Sequence, residues 1–298
     1  MLDRLLGNAQ TKADLAAALK GQRLAGSILL VGEPGCGAGF AARCLAADYL
    51  YPQGGEGARQ VMEGQSPECL EVEGEGASGQ IRIERIRAIR REIQGTALSA
   101  GGRVVILYQA QRLNPASANA LLKTLEEPPP GVLFILTADS QAGLLPTILS
   151  RCGVYDLAPI SREECAAALV REKGISQGQA RELSLLCGGK LGSCLACLEP
   201  PRKESLALAR QLTDLVAARE EYAAQVLAAG LEKDKAGQLL LLENLSALAL
   251  ATLYEPSLSP LKAQQCLELT QLAGETRAYL QGNGNTRLAL THFISRLF

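Results

Sequence analysis

The stretch NPASANALLKTLEEPPPGVLFILTADSQAGLLPTILSRC, from Asn114 to Cys152, indicates the fold class most clearly because it joins a helix to a buried strand. Asn114 is suited to cap a helix with Pro115 in its first turn, and apolar residues recur at helical spacing until Pro128 to Pro130 prevent continuation. The run from Val132 to Leu136 is apolar and partly β-branched, which is typical of a parallel strand covered on both faces. This order predicts an α/β fold around a parallel sheet.

Four other short segments have the composition of strands, and helical patterns separate most of them. These segments are Ser27 to Val31, Cys69 to Glu73, Arg103 to Leu107 and Gly153 to Leu157. Beyond Pro159 the pattern is helical, and Pro200 and Pro201 mark a further boundary. The sequence therefore predicts an α/β domain over residues 1–158, a small helical domain over 159–200 and an all-helical domain over 201–298.

Composition restricts the classes of function. The chain has 298 residues, a hydrophobic share of 47% and a formal net charge of -1, so any contact with DNA requires a local basic patch. No apolar run reaches the roughly 18 residues of a membrane span, and the first residues, MLDRLLGN, lack the apolar core of a signal peptide. We therefore expect a cytoplasmic protein without a membrane partner, whose nine cysteines are reduced.

The segment GEPGCGAG, from Gly32 to Gly39, lies between a strand and a helical pattern, as a phosphate-binding loop does. A working loop reads G-x-x-x-x-G-K-[ST], in which the lysine neutralises the β and γ phosphates and the hydroxyl holds magnesium. This chain has Ala38 and Gly39 at those two positions. Hydrolysis is therefore not expected, although weak anion binding stays open. The glycines of the pattern are retained as Gly32, Gly35 and Gly37.

These features closely resemble the bacterial clamp loaders of the AAA+ class. The resemblance is most specific from Ala116 to Cys152, fair from Ser27 to Leu45 and from Ser78 to Arg90, and only architectural beyond the first domain. It implies a P-loop NTPase-type parallel sheet with helices on both faces, a small helical lid and an all-helical collar through which subunits form a ring. It also implies that Arg151 reaches across a subunit interface toward ATP held by the next subunit.

The resemblance places further nucleotide-site residues, and this chain departs from them. An aspartate and a glutamate that order the metal and activate water are expected directly after the third strand, where Tyr108 and Gln109 stand. The position of the nucleotide-sensing arginine of the lid corresponds to Gly192. Losses in both halves of one site predict an ATPase fold that neither hydrolyses ATP nor holds a cofactor.

Arg151 belongs to the short motif Ser150, Arg151, Cys152. It follows a loop beyond the carboxyl end of a parallel strand, where we expect a side chain to project from the domain, and a guanidinium suits phosphate better than an ammonium does. A structural arginine paired with a carboxylate of its own domain is the alternative. Ser150 and Cys152 are interpreted as turn residues, because a cysteine nucleophile needs a basic partner and the single histidine lies in another domain.

The segment from Gly79 to Gln94 reads as a helix with an apolar stripe of isoleucines. A solvated helix face explains the charges around such a stripe, and contact with DNA or with a partner inside a ring is the alternative. The arginines around the stripe are Arg82, Arg85, Arg87, Arg90 and Arg91.

The sequence predicts no metal site. Many relatives in this family carry a four-cysteine zinc module around the second strand, but this chain offers only Cys44 and Cys69 there, too few and too far apart for paired ligands. Cys194 and Cys197 have C-x-x-C spacing without a second such pair. We interpret them as buried helix cysteines.

The leading hypothesis is a clamp-loader subunit of the DNA polymerase III holoenzyme that does not hydrolyse ATP, supplies Arg151 to a neighbouring ATPase and helps to load the sliding clamp on primed DNA. The resemblance implies gamma or tau and delta subunits as partners in a hetero-pentameric ring. An active ATPase motor of the gamma or tau type is the main alternative, and Ala38, Gly39, Tyr108 and Gln109 disfavour it. A stand-alone nucleic-acid-binding module is disfavoured by the near-neutral charge and by four phenylalanines without tryptophan.

Overall fold

The computed structural model describes residues 1–21, 23–76, 79–93, 102–231, 233–282 and 284–298. The chain divides into two compact units, Met1–Glu164 and Cys165–Phe298. The first unit is an α/β structure, and the described part of the second is built from helices. The boundary lies close to the predicted end of the α/β domain. The further division at residue 200 stays a prediction.

A five-stranded sheet forms the centre of the first unit, in the strand order β2-β3-β4-β1-β5. Every neighbouring pair is parallel. The predicted strands are confirmed, with ends that differ by at most two residues. Their bounds are β1 Ser27–Val31, β2 Cys69–Val72, β3 Arg103–Leu107, β4 Val132–Ala138 and β5 Gly153–Asp156.

Helices cover both faces of this sheet, and this explains why the strand sequences are continuously apolar. Every residue of β1 and β4 is buried. Successive side chains of a strand point to opposite faces, so Ile28 and Leu30 pack in one core while Leu29 and Val31 pack in the other. The first core contains residues of α1 (Ala9–Lys20), α2 (Ala38–Leu50) and α3 (Glu56–Met62), and the second contains residues of α4 (Ile83–Glu92), α5 (Pro115–Glu126) and α6 (Pro146–Leu149).

Helix α5 begins and ends as its sequence predicts. The Asn114 Oδ1 atom accepts a hydrogen bond from the backbone N–H of Ser117 at 2.8 Å, which caps the helix. Pro115 occupies the first turn, where its missing N–H removes no helical hydrogen bond. The helix ends at Glu126, just before the proline run, and the chain then enters β4. Local sequence therefore determines this helix-to-strand passage.

The second unit contains α8 to α14 and most of α7. Helices end near Gly230, Pro256 and Gly282, and Arg219, with a φ of 61°, separates two further helices. The bounds are α7 Arg162–Lys173, α8 Gln177–Leu186, α9 Leu191–Ala196, α10 Arg202–Ala218, α11 Glu221–Ala229, α12 Lys235–Tyr254, α13 Ala263–Gln281 and α14 Thr286–Ser295.

Helix α12 is the central helix of this unit. It is long and apolar enough to cross a membrane by length and composition alone, with a mean hydropathy of 1.4, but half of that apolar segment is buried within the protein. Leu242 and Leu245 on α12 are fully buried and pack in one core with Leu269 of α13 and Leu212 of α10. Packing within the helical unit therefore accounts for the apolar character of α12.

Candidate functional site

The loop between β1 and α2 keeps the backbone shape of a phosphate loop. Gly35 and Gly37 have φ values of 92° and 93°, a region that residues with a side chain rarely adopt. A Cβ atom on Gly32 would lie 2.8 Å from the backbone oxygen of Leu157, so a larger residue would force the chain apart there. Steric requirements therefore explain the three retained glycines, and α2 starts directly afterwards at Ala38.

The side chains around this loop do not fit a magnesium–nucleotide complex. Ala38 and Gly39 supply neither a cation for the phosphates nor a hydroxyl for the metal. Tyr108 directly follows β3, where the resemblance places a metal-ordering acid, and its ring lies against the loop. A Cβ atom on Gly39 would be 3.2 Å from Tyr108 Cε1, so a serine or threonine at position 39 would crowd the ring. The loop therefore has the backbone of the site without its chemistry.

Beside Tyr108, Arg43 and Glu71 form an ion pair that the sequence does not predict. The Arg43 Nε and Nη2 atoms donate to the two Glu71 carboxylate oxygens at 2.8 and 2.6 Å, and Arg43 Cζ lies 5.9 Å from the centre of the Tyr108 ring. The hydrogen bonds to Glu71 raise the pKa of Arg43. Burial, aided by the charge of Glu71, raises the pKa of Tyr108. Glu71 thus balances the charge of Arg43, and Tyr108 stays neutral at physiological pH.

The other half of the site is also changed. Gln109 adopts a left-handed conformation with a φ of 54°, and its backbone N–H donates to Thr137 Oγ1 at 3.0 Å. Thr137 lies near the carboxyl end of β4. A glutamine in place of the expected glutamate provides no carboxylate to polarise an attacking water.

Arg151 lies at the end of the sheet where the strands begin, and the phosphate loop lies at the end where they finish. Strands β4 and β5 both run parallel to β1, so the chain from 139 to 152 crosses back from the carboxyl edge of the sheet to its amino edge. Arg151 comes two residues before Gly153, which opens β5 and is paired with Ile28 near the start of β1. The sequence places this arginine beyond the carboxyl end of a parallel strand. The structure corrects this, because Arg151 lies at the amino end of β5, just before that strand begins.

The Arg151 side chain contacts groups of its own unit. Its Nε atom donates to Glu126 Oε2 at 3.0 Å, and its Nη1 atom donates to the Thr147 carbonyl at 3.1 Å and to Ser150 Oγ at 3.2 Å. The side chain is 29% exposed and that of Glu126 is 58% exposed. The pairing with a local carboxylate, which is the structural alternative, is thus present in the isolated chain, although in a solvent-accessible form.

The flanking residues of the motif have structural contacts. Ser150 Oγ lies 3.3 Å from the Thr147 carbonyl, to which it donates. Burial raises the pKa of the Cys152 thiol to about 12, so that thiol stays protonated and is a poor nucleophile near neutral pH. Both observations agree with the prediction that Ser150 and Cys152 shape the turn.

The predicted basic helix corresponds to α4. Ile86 and Ile89 are buried beneath it, and Glu84 lies with three arginines along an open surface cleft of about 550 Å³. Gln94, the last residue of the predicted segment, lies outside the described residues. Arg85 is half-buried, and the exposed arginines are Arg82, Arg87, Arg90 and Arg91.

Comparison with known proteins identifies the family. A family model described as DNA polymerase III, delta subunit, matches residues 7–161, just over half of the chain. The DNA polymerase III subunit delta' of Haemophilus influenzae is 41% identical over 119 residues, covering 40% of this chain and 36% of the relative. The delta' subunit of Escherichia coli is 32% identical over 143 residues, covering 48% and 43%. The chain therefore spans less than half the length of these two relatives.

The fold has a solved counterpart. A DNA polymerase III gamma subunit-related protein from Thermotoga maritima superposes with a TM-score of 0.58 over 95% of this chain and 98% of that protein, at 18% sequence identity. At this identity the likeness concerns the fold alone, and it confirms the predicted P-loop NTPase-type sheet followed by helical structure. Since the family model covers more than half of its residues, the chain belongs to the DNA polymerase III delta-subunit family, and its curated matches include delta', gamma and tau subunits of that polymerase.

Proposed function

We propose that this chain is a clamp-loader subunit that does not hydrolyse ATP itself and that completes the nucleotide site of a neighbouring ATPase subunit with Arg151. The separation of Arg151 from its own phosphate loop carries the proposal. β1 has five residues, so the amino and carboxyl ends of this strand lie about 13 Å apart. An arginine at the amino end of the sheet can bind only a ligand that comes from outside the unit. The family resemblance implies that this ligand is the nucleotide of a neighbouring subunit.

The contacts of Arg151 leave it available for such a ligand. An exposed ion pair is worth about 0 to 1 kcal/mol, and the Glu126 carboxylate is well exposed. A guanidinium binds phosphate through two parallel hydrogen bonds, which are stronger than ordinary ones. Exchanging Glu126 for the phosphate of a neighbour therefore costs little. In the absence of a neighbour the Glu126 pair keeps the side chain ordered.

The residues of the nucleotide site support the part of the proposal that this chain does not hydrolyse ATP itself. Both the phosphate-binding and the water-activating positions have lost their functional groups, and Tyr108 crowds the loop where a magnesium ligand would project. An active motor subunit of the gamma or tau type is the second candidate, favoured by the shared fold and by a match of 29% identity over 234 residues to a DNA polymerase III gamma subunit. Titration of the purified chain with a fluorescent ATP analogue separates the two, because a motor subunit binds the nucleotide tightly in the presence of magnesium.

The proposed partners are the gamma or tau and delta subunits of the same loader in a five-membered ring, and through that ring the sliding clamp and primed DNA. The location that follows is the cytoplasm, as part of the DNA polymerase III holoenzyme. Co-purification of the tagged full chain from its source cell tests this directly. Recovery of gamma or tau and delta together with the chain is expected, and recovery of a different set of proteins would contradict the assignment.

The arginines of α4 yield a separate prediction. Replacing Arg85, Arg87 and Arg90 by glutamine is expected to weaken binding of the assembled loader to primed DNA more than it weakens assembly. Each lost phosphate contact is expected to reduce the salt slope, the slope of the logarithm of the binding constant against the logarithm of the salt concentration, by about 1 in magnitude. Fluorescence anisotropy with labelled primed template over a series of salt concentrations measures both quantities.

A matched control changes the same charge elsewhere. Arg59, Arg171 and Arg181 are exposed arginines outside α4, and their triple replacement by glutamine is expected to leave DNA affinity and salt slope close to wild type. If the α4 variant behaves like this control, the arginines of α4 form a solvated helix face.

A further inference from the structure

Four of the five cysteines of the helical unit lie near one another. Cys165 lies on α7, Cys187 directly follows α8, Cys194 lies on α9 and Cys197 directly follows α9. Cys165 Sγ is 3.6 Å from Cys194 Sγ, and Cys187 Sγ is 3.9 Å from Cys197 Sγ. The Cys187 thiol also lies near enough to Cys194 to lower its own pKa through that neighbour, which places the two pairs side by side. Three helices thus contribute thiols to one cluster, which we call the lid cysteine cluster.

The sulfur separation within each of the two pairs, 3.6 and 3.9 Å, is close to that in a zinc–thiolate site. Tetrahedral ligands with Zn–S bonds of about 2.3 Å stand about 3.8 Å from each other, close to both distances in the lid cysteine cluster. A disulfide requires sulfurs about 2.0 Å apart. We propose that the four cysteines of this cluster bind one structural zinc ion as thiolates.

Binding requires a modest closure of the thiols. Among the described residues no three His, Cys, Asp or Glu side chains are already arranged to hold a metal ion, and the cluster forms a chain of contacts with Cys165 and Cys197 at its ends. A change between staggered rotamers moves a cysteine sulfur by about 3 Å. Rotation of the end thiols is the movement that the proposal requires to bring four sulfurs around one point.

The surroundings suit a charged metal centre. Four thiolates around Zn²⁺ carry a net charge of about -2, and Lys190 and Arg202 place positive charge near Cys187. A cleft of about 360 Å³ reaches the half-buried Cys187 and is lined also by Cys197, Lys190 and Arg202, which provides an entry path for the ion. Cys165 and Cys194 are fully buried, so the ion would be shielded on its other side.

Zinc would also supply what the small helices lack. α9 has six residues, and its one buried residue is Cys194. Such a short helix has little apolar surface of its own with which to hold α7 and α8. A zinc ion bound to all three elements would tie them together, and its binding free energy would add to the stability of this region.

The sequence does not reveal this site because its ligands do not occur as two C-x-x-C pairs. Only Cys194 and Cys197 have that spacing. Cys187 precedes them by one turn between helices, and Cys165 comes from α7, so their approach depends on how three helices pack. The site also lies far along the chain from the region where the family resemblance places a zinc module. The expectation of a metal-free chain rests on spacing alone, and the proposal replaces it.

The test is the metal content of the full chain purified under reducing conditions without chelator. Elemental analysis is expected to find about one zinc per chain, and the double variant Cys165→Ser with Cys194→Ser is expected to hold less than about a tenth of that. Cobalt replacing zinc is expected to show the visible absorption of a tetrahedral thiolate complex. Circular dichroism establishes that the variant is still folded.

Cys266→Ser is the matched control, because Cys266 is equally buried but lies on α13, outside the cluster. It is expected to keep the full metal content. Wild-type protein that holds no zinc after incubation with the ion, or equal zinc loss in the control, would overturn the proposal. So would a mass lower by two hydrogen atoms per cysteine pair in protein kept reduced throughout, since that identifies disulfides instead of a metal site.

Discussion

Replacing Arg151 with alanine is expected to lower the DNA- and clamp-stimulated ATPase of the reconstituted loader and to slow clamp loading, while folding and assembly stay intact. An arginine supplied in trans stabilises charge on the transferring phosphoryl group and is worth about 10³ to 10⁵ in rate in phosphate-loop enzymes. In a ring with several active sites, the sites that Arg151 does not contact keep their activity, so the total ATPase rate falls by less than this factor. Steady-state phosphate release at equal extents of assembly measures the effect.

Two variants separate the proposed role from a structural one. Arg151→Lys is expected to restore little activity, because an ammonium does not reproduce the planar fork of a guanidinium. Glu126→Gln removes the local ion pair and keeps the arginine, so turnover is expected to stay near wild type and stability to change by less than about 1 kcal/mol. If Glu126→Gln reduces turnover as much as Arg151→Ala does, the arginine acts through its own domain.

The isolated chain is expected to show no magnesium-dependent ATP turnover, and the double replacement Ala38→Lys with Gly39→Thr is expected to leave it inactive. Restoring the lysine and the hydroxyl repairs only one half of the site, because Tyr108 and Gln109 still provide no carboxylate for metal or water. The new Cβ at position 39 would also meet the Tyr108 ring at 3.2 Å. Phosphate release by each purified chain checks both expectations.

The control for this experiment changes the backbone of the loop. Gly37 has a φ of 93°, so Gly37→Val strains the loop whatever the nucleotide does. Turnover by the wild-type chain at the rate of a motor subunit, abolished by Gly37→Val, would contradict the account of an inactive site. Turnover that survives this replacement identifies a contaminating ATPase.

The sequence is sufficient for most of the fold because its strands carry a strong local signal. A segment such as Ser27–Val31 is buried on both faces, and burial leaves a continuous apolar run that local reading detects. Asn114 and the prolines after Glu126 likewise determine where α5 starts and stops. The substitutions in the phosphate-loop pattern can be recognised for the same reason, since the residues of that pattern are contiguous and have a defined order.

The rest depends on packing between distant segments. Arg151 lies at the amino end of the sheet because the chain crosses back between two parallel strands, and this crossing is a property of the topology. Arg43 and Glu71 come from a helix and a strand that no spacing rule relates, and Cys165 joins its cluster only through the arrangement of three helices. In each case the residues are recognisable in the sequence, while the contacts are a property of the folded chain.

ATP hydrolysis by a single neighbouring site is the sharpest test of the proposed role of Arg151. A loader can be assembled in which only the ATPase subunit facing Arg151 keeps a working phosphate loop, so that dilution by other sites disappears. Single-turnover hydrolysis in this complex is expected to fall by about 10³ or more on replacing Arg151 with alanine, with ATP binding largely kept. Equal single-turnover rates for the wild-type and alanine complexes would contradict the claim that this chain completes its neighbour's active site.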